Sequence, residues 1–131
     1  MRLRRLLASA LGAAALLLAC AGGRSGTEDA AALAKVHLDL AAINADGLTG
    51  PADGLRAVSY EFCIPATEAA VAEVTAIDRT VAVQRGARGR IGCSAAEYLC
   101  VGSTHQPGHR DVLVRLARLD YVAAIEPWYG E

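Results

Sequence analysis

The chain has 131 residues, 53% of them hydrophobic and 21% charged, with a formal net charge of −1. That length accommodates one ordinary domain, large enough to bury a core without staples. No lysine-rich run is present, and beyond residue 19 the chain is mildly acidic with one dense basic cluster, Arg85, Arg88 and Arg90, which argues against a nucleic-acid partner.

Arg2, Arg4 and Arg5 precede an apolar run from Leu6 to Ala19 in which Ser9 is the one polar side chain. This is a signal-peptide pattern. The run falls short of the roughly twenty apolar residues that a spanning helix needs. Leu17, Leu18, Ala19 and Cys20 resemble the lipobox of bacterial lipoprotein signal peptides. The resemblance implies a diacylglycerol thioether on Cys20, cleavage after Ala19 and acylation of the new amino group. One acyl chain holds a membrane only marginally, whereas two or more hold it firmly. Ala21, where enterobacterial inner-membrane lipoproteins carry aspartate, turns the implied address toward the outer membrane, with the domain facing the periplasm. The alternative is an ordinary secretory peptide cut at Ala21 or Gly22. Loss of residues 1–19, with three arginines and no acid, leaves 112 residues and moves the formal charge from −1 to −4.

Residues 20–27 are small and read as a flexible tether from lipidated Cys20, reaching about 25 Å when extended. Residues 28–55 form an N-terminal helix and an Asp-Gly loop. In the helix, expected from Glu28 to Ile43, Leu33, Val36, Leu40 and Ile43 recur at helical spacing, and Glu28 and Asp29 suit its first turn. The loop over 44–55 is dense in turn formers, and its Asp46 and Asp53 lack the spacing and closing glutamate of a calcium loop.

Residues 56–131 carry six elements. Val58 to Ile64 alternates as a half-buried strand ended by Pro65. Thr67 caps a helix to about Ile77, with Val71, Val74 and Ile77 on one face. A strand over 80–84 leads into a Gly/Arg turn over 85–92, and another strand spans 97–103. Pro107 and Gly108 open a helix from His109 to about Asp120, with Val112, Leu116 and Leu119 inward, before a last strand over 122–128. The order is βαββαβ, so the fold class expected is α+β, a ferredoxin-like sandwich preceded by an extra N-terminal helix. Its sheet runs 4-1-3-2, with both helices on one face.

If Tyr60, Phe62 and Ile64 face those helices, Cys63 faces away; with Leu99 and Val101 assigned to the helix side, Cys100 faces away too. Cys63 and Cys100 then sit on antiparallel neighbours within disulfide reach. Cys93 with Cys100 is the rival pairing, and buried free thiols are a third possibility. A metal or thiol-redox site would draw on Cys63, Cys93, Cys100, His105 and His109, with His105, His109 and Cys93 as ligands suited to zinc or copper. The pattern lacks a shared helical face for the histidines and a following glutamate base. Arg85, Arg88 and Arg90, in a glycine-rich turn, form a candidate anion cradle without the lysine and hydroxyl of a phosphate loop. Glu61 and Glu126 are candidates for a carboxylate pair on the open face beside Trp128.

Tyr60-Glu61-Phe62-Cys63-Ile64-Pro65, Gly89-Arg90-Ile91-Gly92 and Thr104-His105-Gln106 also resemble segments of small uncharacterised bacterial proteins, a likeness that implies no activity. No complete catalytic constellation is legible. The expectation is a non-enzymatic envelope lipoprotein that binds or assembles with an envelope protein and needs no cofactor.

Overall fold

The computed structural model describes residues 22–130. The signal segment 1–19, the lipobox and Cys20 lie outside the described residues. The elements are α1 (Gly22–Leu33), a 3₁₀ turn (Leu40–Ala42), β1 (Leu48–Thr49), β2 (Arg56–Ala57), β3 (Ser59–Pro65), α2 (Glu68–Ile77), β4 (Ala82–Gln84), β5 (Glu97–Ser103), α3 (His109–Ala117) and β6 (Glu126–Trp128). The fold is thus α+β, with two antiparallel sheets: β1 with β2, and a four-stranded sheet in the order β4-β5-β3-β6.

Local chain chemistry accounts for the starts of α2 and α3. Thr67, extended at φ −129°, accepts the Ala70 N–H with its hydroxyl, and Glu68 suits the positive end of α2. Gly108 starts α3 from a left-handed conformation. Tyr60, Phe62 and Ile64 on β3 are fully buried against Val74 of α2 and Val112, Leu113 and Leu116 of α3. Side chains of this size stabilise the fold by about 1.5–3 kcal/mol each.

Several boundaries differ from expectation. The N-terminal helix ends at Leu33 because the chain then pairs with the segment before β6: Val36 bridges Ile125, whose N–H donates to Lys35 O (2.8 Å) and whose carbonyl accepts from His37 N (2.9 Å). The same helix begins at Gly22, inside the segment expected to be a flexible tether. Its docking on α3 through buried Ala32 and the Asp29–Arg118 ion pair favours helix over coil there. Finally, α3 stops at Ala117 and the last strand starts at Glu126, because turns at Leu119 and Val122 carry Val122 and Ile125 into the core.

The loop over 44–55 is tied down by its own side chains. Asn44 Oδ1 accepts the N–H groups of Asp46 and Leu48, each at 3.0 Å. Thr104 Oγ1 donates to Gly47 O (2.6 Å) and accepts from Val58 N (2.9 Å), joining this loop to the end of β5. Among the described residues no helix is long and apolar enough to cross a membrane.

Candidate functional site

The β3–β5 register places Phe62 opposite Cys100 and Cys63 opposite Leu99. Directly opposed residues share a face, so Cys100 points into the helix-side core while Cys63 and Leu99 point to the other side. The expected Cys63–Cys100 disulfide is therefore corrected: Cys63 bonds Cys93, with Cα atoms 5.5 Å apart, and the Cys93–Cys100 alternative does not form either. Strand β5 misleads by pattern, since Tyr98 and Cys100 alternate with Leu99 and Val101 and both faces are covered. Gly102 on the helix face belongs to the same register: a Cβ there would come 2.5 Å from the Tyr60 ring.

Cys100 is free and fully buried, and burial with the nearby Asp78 carboxylate pushes its thiol up to about 12. A thiol held neutral is a poor nucleophile and a poor ligand. Cys63 and Cys93 are joined to each other, so the proposed ligand Cys93 has no thiolate to offer. His105 Nδ1 lies 3.1 Å from Asp46 O, while His109 is buried in the first turn of α3. Among the described residues no three His, Cys, Asp or Glu side chains converge as a metal set. The predicted ligands His105, His109 and Cys93 do not form one site.

The arginine cluster also disperses. Arg85 holds Glu68 (Nη1 to Oε1, 2.5 Å) and lies over the Tyr98 ring at 4.9 Å, which keeps the Glu68 carboxyl below its usual range. Arg90 lies on another side, 5.8 Å over the Tyr129 ring. Arg85 and Arg90 therefore do not share one anion cradle, Arg85 being held by its own carboxylate.

A buried polar network went unread in the sequence. Asp78, fully buried, accepts from the Tyr60 hydroxyl, from Thr80 N (2.9 Å) and Oγ1 (2.6 Å), and from Gln106 Nε2 (3.0 Å). Gln106 Nε2 also reaches Tyr60 Oη (3.2 Å) and Ser103 O (2.8 Å), and Thr80 Oγ1 accepts from Ser103 N (2.9 Å). Burial, then Asp78, drives the Tyr60 phenol well above its ordinary range. With its acceptors filled, this network joins α2, β3 and β5 structurally. Its sequence signal is Asp78-Arg79-Thr80, an Asx turn closing a helix.

The opposite face carries the polar group that is not satisfied. Glu61 on β3 stands directly across from Glu126 on β6, so the two carboxylates named from sequence share one face. Glu61 is 1% exposed. Its Oε1 accepts the Ile91 N–H at 2.7 Å, and its Oε2 is the one buried side-chain oxygen or nitrogen without a partner among the described residues. His37 Nδ1–H donates to Glu126 Oε1 at 2.5 Å. The loop over Glu61 is pinned by the Cys63–Cys93 bond and by Cys93 N donating to Arg88 O (2.8 Å). It approaches so closely that only glycine fits at 89: at φ +64°, a Cβ would come 2.6 Å from Glu61 Oε2 and 2.8 Å from Leu99 Cδ1.

Between this loop and β6 lies a recess of about 400 Å³ lined by Glu61, Arg90, Ile91, Glu126, Pro127 and Tyr129. It presents two carboxylates, a guanidinium and an aromatic wall, with Tyr129 75% exposed at its rim. Chemically this lining offers hydrogen-bond acceptors and an aromatic face. Comparison with family models, with curated proteins and with solved structures finds no match for the chain.

Proposed function

We propose that this chain is a lipid-anchored lipoprotein of the bacterial cell envelope whose folded domain is a non-enzymatic binding or assembly module. Cys20 is its lipid attachment point, and the outer membrane, facing the periplasm, is the address that Ala21 favours. The observation that carries the reading is the disposition of the cysteines. Cys63 and Cys93 form a bond that persists in an oxidising, exported compartment, and Cys100 is a core side chain. That leaves Cys20, which closes the apolar leader, for lipid.

The domain reads as ferredoxin-like. Supporting this, β3, β4, β5 and β6 follow the order β4-β5-β3-β6, which is the 4-1-3-2 arrangement read from its other edge. The helices α2 and α3 share the core face with Tyr60, Phe62 and Ile64. The binding role is supported by the recess at Glu61 and Glu126, which offers acceptors without a side-chain nucleophile paired to a base.

Intact mass spectrometry of membrane-extracted protein, with and without reduction and alkylation, tests the reading. The expected species begins at Cys20, carries diacylglycerol and an N-acyl chain, and takes up one alkyl group when unfolded without reductant and three with it. A chain retaining residues 1–19, or three free thiols before reduction, would overturn it. Turnover of a substrate that disappears on changing one recess residue would overturn the non-enzymatic part.

A further inference from the structure

We propose that the recess between β3, β6 and the loop over Glu61 binds a primary ammonium group, of the kind carried by a lysine side chain or another alkylamine. The inference rests on the domain being a binding module and names the chemistry that module recognises.

Glu61 and Glu126 are cross-strand partners, and like charges placed directly opposite destabilise a strand pair. No described ion pair neutralises Glu61, whose side chain is buried. Its Oε1 is occupied by Ile91 N, while Oε2 has lost water and gained nothing in return. Glu126 keeps one oxygen beyond the one held by His37. Arg90, the cation nearest in the recess, is placed over the Tyr129 ring rather than on either carboxylate, which also identifies that ring as a cation-accepting surface. Gly89 covers Oε2 with backbone alone, a Cβ there coming 2.6 Å from it, so the one layer over this oxygen is a loop that carries no side chain at that point.

An ammonium is a compact charge with three N–H donors, so it can serve Glu126 directly and reach Glu61 Oε2 as the covering Gly89 backbone yields, while its carbon chain lies along Pro127 and Tyr129. A guanidinium is a planar fork that matches two oxygens of one carboxylate, and Glu61 has a single oxygen free. A hard divalent cation takes six to eight oxygens, whereas no three acidic or histidine side chains converge among the described residues.

The test is an NMR titration of the isotope-labelled, membrane-extracted protein with Nα-acetyl-lysine methylamide, and with its Nε-acetylated form as the uncharged control. Saturable shifts of the Gly89 and Ile91 amides and the Trp128 indole are expected with the first probe and none with the second. Glu61→Gln should weaken binding about tenfold or more. Tyr129→Ala, at an exposed position, should weaken it about threefold. Equal response to both probes, unchanged affinity in folded Glu61→Gln, or shifts with calcium chloride where the amine is silent would each overturn the proposal. Should Glu61→Gln not fold, Glu126→Gln at its partly exposed position takes its place, and unchanged affinity there overturns the proposal equally. The mass spectrum of the same preparation reports lipidation and thiol state separately, so failure of amine binding and failure of the lipoprotein reading are distinguishable.

Discussion

Replacing both Cys63 and Cys93 with alanine removes the bond that pins the loop over Glu61 onto the sheet. The bond spans a sequence separation of 30, for which the chain-entropy relation gives about 3.6 kcal/mol at 25 °C. A domain of this size is stable by roughly 5–15 kcal/mol, so the loss is a large fraction of the whole. Urea unfolding followed by Trp128 fluorescence measures it. At a slope of about 1.5 kcal/mol per molar, the midpoint should fall by about 2.4 M. Dithiothreitol should move the parent protein by the same amount and leave the double variant unmoved. Cys100→Ala, which spares the bond, must keep the full dithiothreitol response. A loss below about 1 kcal/mol, or a parent protein indifferent to reductant, would refute the assignment of a stabilising cross-link between β3 and the loop.

Gly89→Ala meets both the positive φ and the contacts with Glu61 and Leu99, and should cost about 2 kcal/mol in the same urea assay. Asp78→Ala strands the Tyr60 hydroxyl and the Gln106 amide in the core, and should cost about 3 kcal/mol, with Gln106→Ala losing less, as equilibrium unfolding can show. Because burial raises the Cys100 thiol from 9 to about 12, it should resist iodoacetamide at pH 8 until the chain unfolds, as counted by mass spectrometry. The sign for stability follows from which state releases the proton first. The unfolded thiol ionises above about 8.5, so stability is full below that pH and falls as pH rises toward 12. Cys100→Ala should abolish the onset of this decline below about pH 10, above which Tyr60, raised in the same direction, contributes its own.

Strong local signals proved sufficient for much of the fold. The alternating strand expected over Val58–Ile64 forms over Ser59–Pro65, one residue along, and the Thr67 cap and the run Glu97–Ser103 formed where the pattern placed them. Local signals failed where an element's end depends on a distant partner. Val36 has helical spacing but leaves the helix to bridge Ile125, and the small residues before Thr27 join α1 because that helix docks on α3. At the site, Glu61 and Glu126 were legible as residues of one face, but nothing in the Gly/Arg turn over 85–92 signals that it folds down over Glu61 and buries it. Arg85, Arg88 and Arg90 looked like a cluster only along the chain. Side chains five residues apart on a bending loop reach opposite sides of it, where Glu68 and Tyr129 receive them.

The sequence by itself determined the α+β class and the core strands, because periodicity and caps are local properties of the chain. Tertiary structure alone decided which cysteine met which. On β5 both alternating sets are apolar enough to face a core, so composition leaves the choice of face open, and only the register with β3 resolves it. That one-residue choice sends Cys100 into the core and leaves Cys63 for Cys93. The resulting bond draws a glycine-rich loop down over Glu61, and so creates the buried, unpaired carboxylate oxygen on which the candidate site is built.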